Sequence, residues 1–149
     1  ERRFKFGRDL AAGRVLGQLL VAAAGSAPPP RPAALLVVPL HRARLRERGY
    51  NQALELLRPL ARALDLPLLR DGLVRTRGTA AQTGLDAAAR RRNLRGAFAV
   101  PAGTRLPAHV ALFDDVMTTG STLREAARAL RRAGVARVDA WALARAPRR

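Results

Sequence analysis

The chain has 149 residues, a formal net charge of +17 and no cysteine. This length predicts a single domain, residues 1–149, with a core of its own. The lack of cysteine excludes disulfides and thiolate metal sites. The charge suggests nucleic-acid binding, but aromatic residues make up only 4% of the chain, which is few for a surface that stacks bases. Nearly all of the 28 basic residues are arginine, which also fits a compositional bias.

The sequence lacks the patterns of membrane proteins and of several classes of nucleotide-binding protein. No apolar run reaches the roughly 18 residues that a bilayer-spanning helix needs, and no secretory signal is recognisable. The sequence contains neither a P-loop nor a dinucleotide-binding fingerprint. Its two histidines, His41 and His109, are too few for a histidine-rich metal site. We therefore expect a cytoplasmic protein without membrane contact.

The first half of the chain alternates between helical and apolar patterns. Helical periodicity over residues 10–24 leads through a proline-rich connection to an apolar run at 34–38. That run predicts a strand buried on both faces. A basic loop is predicted over 40–50, followed by a helix over 51–64 that Pro59 should kink or split.

The middle of the chain is more polar. Short strands are predicted within residues 66–74 and at 97–100. Between them the sequence predicts a long polar loop at 75–85 and a short basic helix at 87–93.

The last part of the chain repeats the pattern of buried strand and helix. Residues 109–113 predict a second buried strand, residues 114–119 the loop after it, and residues 121–133 an amphipathic helix. A final strand is predicted over 135–143. Alternation of buried strands with helices is typical of a parallel α/β sheet, whose ligands bind beyond the carboxyl ends of the strands.

The strongest local signal is the segment 110–122, in which an apolar strand leads to two acids and then to hydroxyl residues and glycine. Backbone N–H groups at the start of the following helix favour an anion such as phosphate. Asp114 and Asp115 suit ribose hydroxyls or the water shell of Mg²⁺ instead. The segment therefore predicts a site for a phosphorylated sugar, and the alternative is an ordinary helix start with two surface acids.

This segment resembles the phosphoribosyl-pyrophosphate (PRPP) motif of type I phosphoribosyltransferases. The resemblance implies their fold, an α/β three-layer sandwich with a mainly parallel central sheet. It implies that Asp114 and Asp115 hold the ribose at the catalytic centre and take Mg²⁺ through water or ribose hydroxyls. It assigns the phosphoribosyl group to these further residues: Val116, Met117, Thr118, Thr119, Gly120, Ser121 and Thr122.

Other segments, in chain order, resemble the ComF family (competence protein F, also called GntX-like). They are Pro39-Leu40-His41 leading to RGYNQA at 48–53, Arg75 with QTGL at 82–85, RRRNLRGAF at 90–98 and LAR at 143–145. Together these matches are more specific than any one of them. That family often carries an N-terminal zinc ribbon with paired cysteine motifs. Here the ribbon either precedes Glu1 or is missing from this member.

The resemblance assigns the pyrophosphate of PRPP to the loop after the first buried strand. The candidates there are Leu40, His41, Arg42 and Arg48. Arginine suits phosphate because its planar guanidinium presents a fixed fork of donors. His41 is equally suited to a structural hydrogen bond.

The segment 75–92 corresponds, in the same resemblance, to a flexible loop that closes over the site. Closure excludes water, so that PRPP is not simply hydrolysed. Gln82 and Arg90 are the candidate ligand-binding residues of this loop. The arginines of the last helix are expected to be solvated surface residues.

Three functions remain open. The first is pentosyl transfer from PRPP with Mg²⁺, in which a nucleophile attacks C1 of the ribose as pyrophosphate leaves. The second is a nucleic-acid adaptor or PRPP sensor without catalysis. The ComF family is linked to DNA uptake in natural transformation, which implies single-stranded DNA and a competence helicase as partners. The third is nucleobase salvage. The sequence names no acceptor, and a homo-oligomer also remains open.

Overall fold

The computed structural model describes residues 30–78 and 92–146. The helix predicted over 10–24 and most of the helix predicted over 87–93 lie outside these ranges. In chain order the elements are β1 (Ala34–Val37), α1 (Arg42–Arg48), α2 (Gln52–Ala63), β2 (Val74–Arg75), β3 (Phe98–Ala99), β4 (His109–Met117), α3 (Ser121–Arg132) and β5 (Arg137–Arg145).

A parallel sheet forms the centre of the fold, in the order β1–β4–β5. Val37 pairs with Phe113, and Phe113 pairs with Trp141. All residues of β1 are buried, because both faces of the sheet are covered. Strands β2 and β3 form a separate antiparallel pair. The predicted α/β class with a parallel sheet is therefore confirmed.

The core has two parts, one on each face of the sheet. Because side chains alternate along a strand, Leu35 and Phe113 face α2, whereas Leu36 and Leu112 pack in the cluster that includes α3 and Phe98. The described residues thus form three layers, with α2 on one face and α3 with the β2–β3 pair on the other.

Pro59 lies inside α2, and the helix continues through it as one element. Of the two expectations for Pro59, the split is therefore wrong, and the kink stays a prediction. A proline in a helix interior costs about 3 kcal/mol or more. Leu56, Leu57 and Leu60 are at most 1% exposed, and burial of each such side chain contributes about 1.5–3 kcal/mol. Packing against the sheet outweighs the cost of the proline.

An ion-pair cluster joins the amino ends of β4 and β5. Asp139 accepts a hydrogen bond from Arg137 Nε at 2.9 Å and lies 2.8 Å from His109 Nε2. Burial of Asp139 opposes its ionisation, but the hydrogen bonds from Arg137 and His109 outweigh this cost and hold its pKa below the usual value. The cluster stabilises the edge of the sheet opposite the carboxyl ends of the strands.

Candidate functional site

The topology singles out the carboxyl ends of β1 and β4. After β1 the chain crosses the face that α2 covers and then reaches Leu68, which bridges to Leu35 on the outer edge of β1. After β4 the chain crosses the opposite face through α3 and continues into β5. The two adjacent strands therefore continue in opposite directions. In an open α/β sheet such a switch point forms a crevice that binds ligands.

Strand β4 extends past the end of β1 and carries the two acids. β1 pairs as far as Val37 with Phe113, whereas β4 remains paired with β5 as far as Met117. Asp114 and Asp115 therefore lie within a strand, and the prediction that they belong to a loop is wrong. Pairing with β5 keeps this segment extended where β1 has already ended.

The backbone orients both carboxylates. The N–H of Asp115 donates to Oδ1 of Asp114 at 2.9 Å, and the N–H of Val116 donates to Oδ1 of Asp115 at 2.9 Å. Both acids are half-buried. One oxygen of each carboxylate is thus fixed by its own chain. Carboxylates held in this way suit hydroxyl donors better than a bare phosphate, which they would repel.

The turn at residues 118–120 connects β4 to α3. Gly120 adopts a left-handed conformation, with φ 70° and ψ 9°, and has no side chain with which to cap the helix that follows. Thr119 Oγ1 accepts a hydrogen bond from the Ser121 N–H at 3.4 Å. Thr119 Oγ1 and Ser121 Oγ are hydrogen-bonded at 2.8 Å, and Arg124 Nη2 donates to the Thr119 carbonyl at 2.9 Å. These hydrogen bonds fix the turn, and the first turn of α3 follows the carboxyl end of β4. The N–H groups of a helix N-terminus favour an anion.

A small concavity of about 20 Å³ opens at this turn. Its lining contains Leu123 and most of the residues that were assigned to the ribose and its phosphate. Of those assigned residues, only Asp115 and Thr119 do not line it. The concavity brings a carboxylate, hydroxyl groups and a helix N-terminus to one place. Such a surface can hold an anionic group with hydroxyls beside it.

Helix α1 forms the other side of the crevice, where the sequence predicted a loop. His41 Nδ1 accepts a hydrogen bond from the Ala43 N–H at 3.3 Å and caps the helix, and Gly49 ends it with φ 79°. No residue of α1 is buried, so the segment has no apolar stripe that would have predicted a helix. The structural hydrogen bond expected as one of two roles of His41 is therefore present. Its other expected role, binding of pyrophosphate, stays a prediction.

The candidates for pyrophosphate binding divide into two groups. Leu40, His41 and Arg42 line a groove of about 790 Å³ between α1 and β2. Arg48 lies outside that lining, and its Nη1 donates to Oε1 of the buried Gln52 at 3.0 Å. Arg48 therefore joins the end of α1 to α2, and phosphate binding by Arg48 stays a prediction.

Arg75 was named from the sequence only as part of a ComF-like segment, and not as a ligand-binding candidate. It is half-buried, lines the same groove, and lies 5.5 Å from the centre of the Phe98 ring, which fits a cation–π contact. Burial lowers the pKa of the Arg75 guanidinium, Arg44 lowers it further, and Asp114 raises it. Arg75 therefore lies close enough to Asp114 for the two charges to interact. Its place in the ComF-like segment was the signal that could have identified it.

Asn51 connects the end of β1 to the start of α2. Its Nδ2 donates to the Val38 carbonyl at 3.1 Å, and its Oδ1 accepts from the N–H groups of Ala53 and Leu54 at 3.1 and 3.4 Å. One side chain thus fixes both ends of the connection that contains α1.

Glu125 connects α3 to the turn before β3. Its side chain is 8% exposed, and its Oε1 accepts a hydrogen bond from the Gly96 N–H at 2.9 Å. Its Oε2 pairs with Arg128, which is 68% exposed. A buried carboxylate that accepts a backbone N–H is a strong contact. It holds the β2–β3 pair against the helix whose first turn faces the crevice.

Two candidates cannot be placed, because Gln82 and Arg90 lie outside the described residues. Within residues 30–78 and 92–146, no group of three or more histidine, cysteine or acidic side chains could hold a metal ion by itself. The same ranges contain no helix long and apolar enough to cross a membrane.

Comparison with solved structures identifies the fold. The chain superposes on the allosteric regulatory enzyme of purine biosynthesis with a TM-score of 0.56 at 21% identity, covering 89% of this chain and 25% of that enzyme. The parallel sheet, its covering layers and the crevice at the β1–β4 switch point are those of a type I phosphoribosyltransferase fold.

Comparison with curated sequences identifies the family. Competence protein F of Haemophilus influenzae is 42% identical over 97% of this chain and 66% of its own length. The DNA utilization protein YhgH of Escherichia coli O157:H7 is 43% identical over 76% of this chain and 50% of its own length. The chain belongs to the ComF family. It spans about half to two-thirds of the length of these curated relatives. A scan against family profiles finds no match.

Proposed function

We propose that the chain binds PRPP together with Mg²⁺ in the crevice between β1 and β4. One observation carries this proposal: at the switch point of the sheet, the two acids of β4, Asp114 and Asp115, are followed by the turn at residues 118–120 and the N-terminus of α3. The 5-phosphate would occupy the concavity at the 118–120 turn, and the ribose hydroxyls would meet the two acids. Ribose hydroxyls suit the carboxylates and phosphate suits the helix N-terminus, so a sugar phosphate would use both.

The pyrophosphate of PRPP would lie towards α1 and β2. Arg42, Arg75 and His41 line that side of the crevice and offer cationic or polar donors. Magnesium in such sites is held by one or two carboxylates together with oxygens of the substrate. The two acids of β4 fit that donor set, and bound Mg²⁺ would supply neutralisation of the pyrophosphate charge.

The chemistry that this arrangement supports is pentosyl transfer. The bond between C1 and pyrophosphate breaks while a nucleophile bonds to C1, and positive charge develops on the ribose. The carboxylates of Asp114 and Asp115 would lie beside that charge, and the arginines beside the leaving group. Positioning and electrostatics would therefore supply most of the rate enhancement.

Calorimetric titration with PRPP and MgCl₂ tests the proposal. We expect the double variant Asp114→Asn with Asp115→Asn to bind PRPP at least 100-fold more weakly, a loss of about 2.7 kcal/mol. PRPP is an anion, so removal of two negative charges should strengthen its binding if only the overall field mattered. A loss would therefore identify direct contacts with the ribose or Mg²⁺.

Asp65→Asn is the matched control, because it also removes a carboxylate and lies just beyond α2. Asp65 has φ 52°, a conformation that asparagine tolerates well, so the fold should not change. We expect the control to bind PRPP as the unmodified chain does. Unchanged affinity in the double variant would show that the acids do not hold the ribose.

Binding of single-stranded nucleic acid is a second candidate function. Arg42 and Arg46 are exposed on a helix that buries none of its residues, and the relatives bear names that refer to competence and DNA utilization. Anisotropy of a labelled oligonucleotide across a salt series would test it, since each phosphate contact on a single strand contributes about −0.7 to the slope. Arg42→Gln with Arg46→Gln should flatten the slope, whereas Arg131→Gln on α3 should not. No binding at low salt would exclude this function.

A further inference from the structure

Among the described residues, no helix packs closely against β5 on the face that carries Trp141 and Leu143. These two side chains lie on the same side of the sheet as α2. Helix α2 packs against β1 and β4, whereas the helix that packs against β5 is α3, on the opposite face. Trp141 and Leu143 are accordingly only partly buried. Because parallel sheets have both faces covered, this face of β5 suits a further apolar element.

We propose that this face of β5 is the docking site of residues 10–24 of the same chain, which lie outside the described ranges and for which the sequence predicts a helix. The segment has the apolar stripe that such a face requires. The following residues recur at the spacing of one helix face: Ala12, Val15, Leu16, Leu19 and Ala23. Gly13 and Gly17 disfavour a helix that stands alone, so a helix of this sequence depends on packing against another surface.

The connection to β1 is long enough for this docking. Residues 25–33 separate the segment from the start of β1, and a connection of this length spans up to about 30 Å when it is extended. The path from β1 to β5 crosses the spacing between neighbouring strands twice, which amounts to about 10 Å. A covering layer lies about 10 Å from a sheet. Residues 10–24 can therefore reach the face of β5 beside α2.

The charges beside this face disfavour a second copy of the chain as its occupant. Arg137 and Arg145 are exposed and lie at equal distances along β5 on either side of Trp141. A two-fold axis at Trp141 would place Arg137 of each copy against Arg145 of the other, and like charges repel. Within residues 10–24 the only charged residue is Arg14, whose spacing places it on the helix face opposite Leu16. The segment therefore brings an apolar stripe to the sheet without a charge.

Trp141 is the only tryptophan of the chain, so tryptophan fluorescence reports on this face. In the full chain, we expect Leu16→Gln with Leu19→Gln to shift the emission to longer wavelength and to increase quenching by acrylamide, because a polar stripe would no longer cover the ring. Arg14→Gln with Gln18→Ala is the matched control on the opposite helix face, and it should change neither. Unchanged emission in the leucine variant, or an equal change in the control, would overturn the proposal.

Disulfide trapping distinguishes loss of docking from a general loss of structure, and the chain has no cysteine of its own to interfere. Oxidation of the variant Leu16→Cys with Leu143→Cys should give an intramolecular disulfide, seen as a faster band on a non-reducing gel. Gln18→Cys with Leu143→Cys should not close, because residue 18 would face away from the sheet. A disulfide-linked dimer in the first variant would assign the face to a second copy. No disulfide in either variant, or equal closure in both, would show that residues 10–24 do not dock there.

Discussion

Asn51 is the residue whose substitution most sharply tests how the crevice is built. Replacement by alanine removes the cap of α2 and the hydrogen bond from Nδ2 to the Val38 carbonyl. Loss of a helix cap costs about 1 kcal/mol, and loss of a partly buried hydrogen bond costs about 1 kcal/mol more. We therefore expect Asn51→Ala to lower the free energy of unfolding by about 2 kcal/mol. For a chain of this size, that corresponds to a fall in Tm of roughly 4–8 °C.

Urea denaturation followed by circular dichroism measures this loss. Asn51→Ser separates the two contributions, because serine caps a helix but is too short to reach the Val38 carbonyl. We expect Asn51→Ser to lose about 1 kcal/mol, close to half the effect of alanine. A loss of less than about 0.5 kcal/mol in Asn51→Ala, or a loss in Asn51→Ser as large as that in Asn51→Ala, would contradict these two roles of the side chain.

Three further predictions can be measured by the same unfolding assay. Glu125→Ala should cost about 2 kcal/mol because it leaves the Gly96 N–H unsatisfied, whereas Glu125→Gln keeps an acceptor and should stay within about 0.5 kcal/mol. Gly120→Ala and Gly103→Ala both place alanine in a left-handed conformation and should each cost about 1–2 kcal/mol, but only Gly120→Ala should weaken PRPP binding. The depressed pKa of Asp139 means that its stabilisation exists above about pH 4 and is lost as the pH falls further, so the deficit of Asp139→Asn should shrink below that pH.

The buried strands could be predicted because their information is local. The apolar runs that became β1 and the first part of β4 are continuous in the sequence and end at a proline or an acid. The same holds for α3, whose start at Ser121 and end near Gly134 were both marked by residue type. The site acids were recognisable for the same reason, since they directly follow a strand.

The errors arise where distant parts of the chain decide the local structure. Asp114 remains in a strand because Ala142 of β5 pairs with it, and the local sequence of β4 contains no sign of that partner. Helix α1 exists through its caps, His41 and Gly49, and buries nothing that a periodicity could show. Arg75 became a candidate only when the structure placed it over Phe98 and near Asp114.

The central claim is that the crevice at the β1–β4 switch point holds PRPP, and a crystal structure of the chain with PRPP and Mg²⁺ tests it most directly. We predict the 5-phosphate at the first turn of α3, near the N–H groups of Ser121 and Thr122, with the ribose hydroxyls on Asp114 and Asp115. Ligand density elsewhere, or a ribose bound with its hydroxyls turned away from both acids, would contradict it.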